Sequence, residues 1–386
     1  MTNNIKKFGE VFTPEYLVKE IIEKLPKNLW IDKNLKWIDH SCGNGNFLIQ
    51  IKEKLMSTLT SVPLSKREKW ITENMLYGVE IQEKNAIECS NRLNCPNIYL
   101  KDALDFDFYN MKFDVVIGNP PYNDDSGNKG KSHILWDKFL IKSIEICKDN
   151  GIVCLITPSL WRKPENKLFD IFKNNNLIYL EIHGFNDGEK TFRVETRFDW
   201  YIIKKEQYQG KTEIKDENGE IFSVNINDYE WLPNCNYDLI SNIIAKENDE
   251  KCQVIHDRTN YGADKKWVQK EKDDVFKYPC VYSVNRENKP KLVWSSTNQN
   301  GHFGIPKVIF GSGRTGFYID EEGQYGLTQW ATGVVDKPEN LKEIAEFLNS
   351  DSFKPILKAT SMSKEEINSK ILKLLKKDFY KIGDSI

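Results

Sequence analysis

The sequence predicts an α/β fold on a mostly parallel sheet, followed by a second domain of mixed α+β character. Three observations carry this. Short β-branched or aromatic runs at residues 35–39, 76–80, 98–102 and 115–117 alternate with helical periodicities at 47–56 and 83–93. Such alternation implies parallel strands, with ligands bound beyond their carboxyl ends. Each of these strands ends in a polar group, at Asp39, Glu80, Asp102 and Asn119, so four polar groups are expected at one edge of one sheet. After Lys205 the pattern gives way to short β-like runs rich in Trp, Tyr and Asn, which divides the chain into domains 1–205 and 206–386.

Composition bounds the function. The chain has 386 residues, 39% of them apolar, enough for two cores. No run reaches the length of a membrane span, and the first residues lack the apolar core of a signal peptide, so a cytoplasmic protein with no membrane partner is expected. Eight cysteines include no Cys-x-x-Cys pair and no clustered His, so no metal site is expected. The net charge of −2 does not announce nucleic acid, yet between residues 251 and 320 twelve Lys and Arg stand against seven Asp and Glu. That excess reads equally as a solvated face.

The chemistry centres on Asn119-Pro120-Pro121-Tyr122, directly after the apolar run 115–117 and Gly118. Proline locks its own φ and biases the residue before it towards an extended backbone, so the strand stops and the loop is rigid. It offers the Asn119 amide oxygen and the Pro120 carbonyl as acceptors beside the Tyr122 ring, a cluster suited to a flat group bearing NH₂. An ordinary turn is the competing reading. Upstream, Thr13 is a candidate helix N-cap with Pro14 in the first turn, ahead of apolar residues at helical spacing from Leu17 to Leu25. Residues 40–46 form a Gly-x-Gly turn from strand to helix, which lets a ligand approach the backbone; Leu48 stands where a dinucleotide fingerprint needs its third glycine. Residues 123–132 read as a surface loop and possible lid, and His133 at its end as structural. A helix over 134–147, a strand over 151–158, a short helix over 168–172, a strand over 177–182 and a closing hairpin within 192–203 complete the expected domain. Beyond it, strands are expected at 281–284, 291–294 and 307–310, and helices at 341–348 and 364–375.

Phe12-Thr13-Pro14, then Asp39-x-x-Cys42-Gly43-x-Gly45-x-Phe47, Glu80, Asp102 and Asn119-Pro120-Pro121-Tyr122, together resemble the gamma class of amino-methylating DNA methyltransferases, the TaqI-like enzymes. The likeness covers about residues 8–205. It implies a Rossmann-like class I methyltransferase sheet with a C-terminal target recognition domain, and S-adenosylmethionine as cofactor. Thr13, Asp39, Cys42, Gly43 and Gly45 would surround its methionine end, Glu80 its ribose and Asp102 its adenine, with Asn119 and Phe139 also at the cofactor. His40 departs from the family, which usually has Pro there.

The partner implied is double-stranded DNA, with a separate cognate restriction endonuclease as a further candidate. A target adenine would be flipped out, an unstacking that costs a few kcal/mol, and stacked on Tyr122 with Phe192 as a second face. Asn119 and the Pro120 carbonyl would then hold its exocyclic N6 amine, with Pro121 stiffening the loop. Cys42 and Cys147 are not expected to be nucleophiles. Lys265, Lys266, Arg286, Lys307 and Arg314 are the candidate DNA contacts, Arg being the usual reader of guanine edges. Two other readings use the same residues: a methyltransferase acting on RNA adenine or a protein glutamine, and a non-catalytic DNA-binding subunit.

Overall fold

In the computed structural model the described residues are 12–124, 133–256, 265–311, 316–362 and 366–384. They form two compact units that divide after Leu232. In the first, nine strands make one sheet: β1 (Trp37–Asp39), β2 (Leu76–Glu80), β3 (Ile98–Leu100), β4 (Phe113–Gly118), β5 (Cys147–Pro158), β6 (Asn176–His183), β7 (Phe198–Lys204), β8 (Thr212–Lys215) and β9 (Ile221–Val224). Their order is β9-β8-β6-β7-β5-β4-β1-β2-β3. β7 runs antiparallel to both neighbours and β9 antiparallel to β8; the other pairings are parallel.

The apolar runs become strands buried on both faces, as crossover helices demand. Val115, Val116 and Ile117 are fully buried, and Val115 sits opposite Trp37 in the ladder. The helices are α1 (Glu15–Lys24), α2 (Asn46–Thr58), α3 (Leu64–Trp70), α4 (Glu83–Leu93), α5 (Trp136–Ile146), α6 (Phe169–Asn174) and α7 (Phe185–Phe192). α1 packs on α2 and α2 on α4, while α5 lies against β4 and β5. β1 and β4 are neighbours although β2 and β3 separate them in sequence, so the strand order reverses there. That reversal opens the crevice in which doubly wound sheets bind ligands.

Three expectations are corrected in this unit. The sheet does not end near Lys205: β8 pairs with β6 and β9 closes the edge, so the compact unit runs on to Leu232. The N-cap of α1 is Pro14 rather than Thr13, and no side chain of the described residues caps that helix. Phe192 is the last residue of α7, an amphipathic helix where a hairpin was expected. It is 8% exposed in the core, edge-on to Phe198 at 4.9 Å, and does not offer a face to a substrate ring.

The second unit carries two four-stranded sheets. β10 (Gln253–Ile255), β17 (Ala331–Val335), β14 (Lys307–Gly311) and β15 (Tyr318–Asp320) form one, in that order. β11 (Val268–Gln269), β13 (Pro290–Ser295), β12 (Tyr278–Val284) and β16 (Gly326–Leu327) form the other. Val281, Val284, Ile309, Leu327 and Ala331 make a core between strands of both sheets. Helices at Pro338–Asn349, Lys354–Thr360 and Ser369–Leu372 follow; the last is shorter than expected, and residues 363–365 lie outside the described residues. Among the described residues no helix is long and apolar enough to cross a membrane.

Candidate functional site

The carboxyl ends of β1, β2 and β4 surround a cavity of about 380 Å³. Thr13, Asp39, Cys42, Gly43, Glu80, Asp102, Asn119, Pro121 and Phe139 line it, so most of the singled-out residues of the first domain come together. Of residues 123–132, read as a surface loop and lid, 125–132 lie outside the described residues, as does Arg314.

Backbone geometry sets the carboxylates. Asp39 ends β1 and Gly118 ends β4 beside it: a Cβ on Gly118 would lie 2.5 Å from Asp39 Oδ1, and the φ of +155° is one that side-chain-bearing residues rarely adopt. Asp39 is 2% exposed and accepts from the Ser41 N–H at 3.0 Å and the Ser41 hydroxyl at 3.4 Å. No cation pairs with it among the described residues. Burial pushes its pKa up to about 7; the Ser41 bonds oppose this and the Glu80 charge adds to it. Glu80, at the end of β2, accepts the Gly43 N–H at 2.9 Å on one oxygen and the Gln82 N–H at 2.8 Å on the other. The Gly-x-Gly turn is thereby tied to the neighbouring strand. Gly45 closes it at φ +93° as the N-cap of α2. Asp102 is exposed and accepts the Leu104 N–H at 2.9 Å.

The loop after β4 is held from several sides. The Asn119 amide N–H donates to the Thr13 hydroxyl at 3.2 Å, while its carbonyl oxygen is buried without a partner among the described residues. Tyr122 is partly buried; its carbonyl accepts the Leu135 N–H at 3.1 Å and its hydroxyl is buried without a partner among the described residues. Burial raises the Tyr122 pKa, so the phenol stays protonated.

His40 lines the cavity too. The Ser143 hydroxyl donates to the Phe139 carbonyl at 2.7 Å and therefore accepts from His40 Nε2–H at 2.8 Å. That assignment leaves Nδ1 as a bare acceptor, which is buried without a partner among the described residues. Burial lowers the His40 pKa to about 4, so the ring is neutral. It meets Phe139 edge-on at 5.1 Å and fixes that cavity-lining ring. Hydrogen bonding to Cys89, then burial, raises the Cys42 thiol well above its ordinary pKa, and burial raises Cys147 to about 12. Neither is an activated thiolate.

Sequence reasoning missed Asn46, Gln82, Asn85 and Lys101, which also line the cavity. Asn85 carried a signal, a buried polar residue on the apolar face of α4 beside Ala86 and Cys89. In the second unit Lys307 is overturned as a DNA contact. It is fully buried, and its ammonium donates to Asp320 at 2.8 Å and to the carbonyls of Ile305 and His302. Arg286 and Lys266 are exposed and Lys265 is half-buried. Among the described residues no cluster of His, Cys, Asp and Glu could hold a metal ion.

Residues 28–192 match the family described as Eco57I restriction-modification methylase. Modification methylase CviBIII of Paramecium bursaria Chlorella virus NC1A is 27% identical, over 54% of this chain and 53% of that protein. An uncharacterized adenine-specific methylase of Mycoplasma pneumoniae is 24% identical, over 53% of this chain and 68% of that one. The chain thus spans about half the length of the viral relative. Among solved structures, the type IIL restriction-modification enzyme MmeI in complex with DNA covers 97% of this chain and 69% of its own, at 10% identity and a TM-score of 0.57, a likeness of fold.

Proposed function

We propose that this chain, whose residues 28–192 match the family described as Eco57I restriction-modification methylase, is an adenine-specific DNA methyltransferase that uses S-adenosylmethionine. The observation that carries the reading is the buried carbonyl oxygen of Asn119 at the end of β4, which has no partner among the described residues and lies on the rim of a cavity lined by strand-end carboxylates. An orphaned acceptor in a native fold needs an explanation. A planar NH₂ group supplies the donor that this oxygen lacks.

The residues present fit the cofactor. Glu80, aimed by two backbone N–H groups, would take the ribose hydroxyls, Asp102 the adenine amine, and the neutral His40 and Phe139 rings one wall. Asp39, buried without a cation, suits the positive methionine end. Bound there, S-adenosylmethionine supplies an electrophilic methyl group. Everything else falls to the chain. The exocyclic amine of adenine is a poor nucleophile because its lone pair is delocalised into the ring. Hydrogen bonds from the amine to Asn119 and to the Pro120 carbonyl favour a tetrahedral nitrogen with its lone pair directed at the electrophile. The amine must leave the helix to reach this rim, so the target base is flipped out and Tyr122 gives it a stacking face, worth roughly 1–3 kcal/mol. In-line displacement needs no enzyme nucleophile, in keeping with the high thiol pKa values.

Residues 206–386 would read the target sequence, with Lys265, Lys266 and Arg286 as phosphate or base contacts and a separate restriction endonuclease as the companion activity. Labelled S-adenosylmethionine with unmethylated double-stranded DNA tests this. Label is expected in N6-methyladenine, and Asn119→Ala is expected to abolish it. Label on RNA or on a protein glutamine would keep the Asn119 chemistry and replace the substrate.

A further inference from the structure

Thr13 was expected either to cap a helix or to face the cofactor. It does not cap, since Pro14 occupies that position. Thr13 is 4% exposed, and its hydroxyl lies 3.2 Å from the Asn119 amide nitrogen. An amide has one donor end and one acceptor end. With nitrogen committed to Thr13, the oxygen is turned away, and this is the oxygen left without a partner among the described residues.

Thr13 is itself fixed from the Gly-x-Gly turn. Arg92 Nη1 donates to Asn46 Oδ1 at 3.3 Å and to the Asn44 carbonyl at 2.8 Å. Arg has only donors, so the other end of Asn46 must be Nδ2, and this donates to the Thr13 carbonyl at 3.0 Å. A chain of hydrogen bonds therefore runs from α4 through the first residue of α2 to Thr13 and on to Asn119.

We propose that Thr13 is a positioning residue, whose hydroxyl accepts the Asn119 amide N–H and so turns the amide oxygen to receive the substrate amine, with Asn46 and Arg92 holding Thr13 in register. It rests on the methyltransferase reading for its consequence, though not for the contact. Without the hydroxyl, the Asn119 amide is free to rotate and to present nitrogen instead of oxygen. A displaced reacting group loses rate rather than affinity.

Thr13→Val keeps the shape and removes the acceptor; Thr13→Ser restores it. Two readouts decide. The side-chain amide resonance of Asn119 in nitrogen-15-labelled protein, assigned by its absence in Asn119→Ala, is expected to shift and exchange faster in Thr13→Val and to return in Thr13→Ser. In methyl transfer, Thr13→Val is expected to lower kcat by about 10- to 100-fold, with S-adenosylhomocysteine affinity within about threefold of wild type. An unmoved amide resonance overturns the contact. A moved resonance with unchanged kcat overturns the positioning role, and weakened S-adenosylhomocysteine binding with unchanged kcat returns the hydroxyl to the cofactor. If the wild type methylates nothing, the proposed function fails while the resonance still decides the contact.

Discussion

Asp39 and Asp199 are both buried carboxylates in the same sheet, and they are treated in opposite ways. Asp199 on β7 is fully buried and receives Arg162 Nε at 2.8 Å and Nη2 at 3.2 Å; the same guanidinium donates to the Leu232 carbonyl at 2.9 Å. Among the described residues Asp39 receives only Ser41. Burial raises the pKa of both, and at Asp199 the guanidinium pulls against it. In the second unit Lys307 and Asp320 repeat the Asp199 pattern: all three ammonium donors have partners, and the carboxylate also accepts the backbone N–H groups of Gln324 and Tyr325. The difference separates a structural pair from the proposed site. A buried charge that holds the fold is saturated from within, whereas one awaiting a ligand is left short.

Breaking the saturated pair gives the largest expected effect. Arg162→Met leaves Asp199 buried and unpaired, and a loss of about 3–5 kcal/mol is expected in denaturant unfolding. The same change on an Asp199→Asn background should cost much less, because no charge is stranded.

The Asp39 side is read with pH. A carboxyl whose folded pKa is raised from 3.8 to about 7 favours folding fully below pH 3.8, and that contribution is lost as pH rises through 7. Asp39→Asn cannot titrate. Its unfolding free energy relative to wild type, measured by denaturant unfolding, is therefore expected to rise between pH 5 and pH 8, by an amount on the order of a few kcal/mol. His40, neutral in the fold, acts in the opposite sense below its unfolded pKa but is common to both proteins and cancels. A difference that stays flat across that window would show that Asp39 is ionised throughout.

Much of the site was legible because it lies where short apolar runs stop. Val115 to Ile117 followed by Gly-Asn-Pro-Pro announces a strand end from local chemistry alone, and so does the run before Glu80. What the sequence hid depends on partners far along the chain. Lys307 beside a β-branched run looks like a basic edge, and only its pairing with Asp320 across the β14–β15 ladder shows a buried ion. β8 and β9 are short and partly polar, so the sheet's outer edge gave no apolar signal. Thr13 next to Pro14 reads as a cap until Asn119, distant in sequence, is folded beside it.

The central claim is that the cavity with the unsaturated carboxylate is a nucleoside-cofactor site, and calorimetric titration with S-adenosylhomocysteine tests it most directly. The account predicts one-site binding to wild type and to Asn119→Ala, because the role proposed for Asn119 is towards the substrate amine, and loss of that binding in Glu80→Ala at unchanged fold. Absence of binding to wild type, or equal binding to Glu80→Ala, would contradict it.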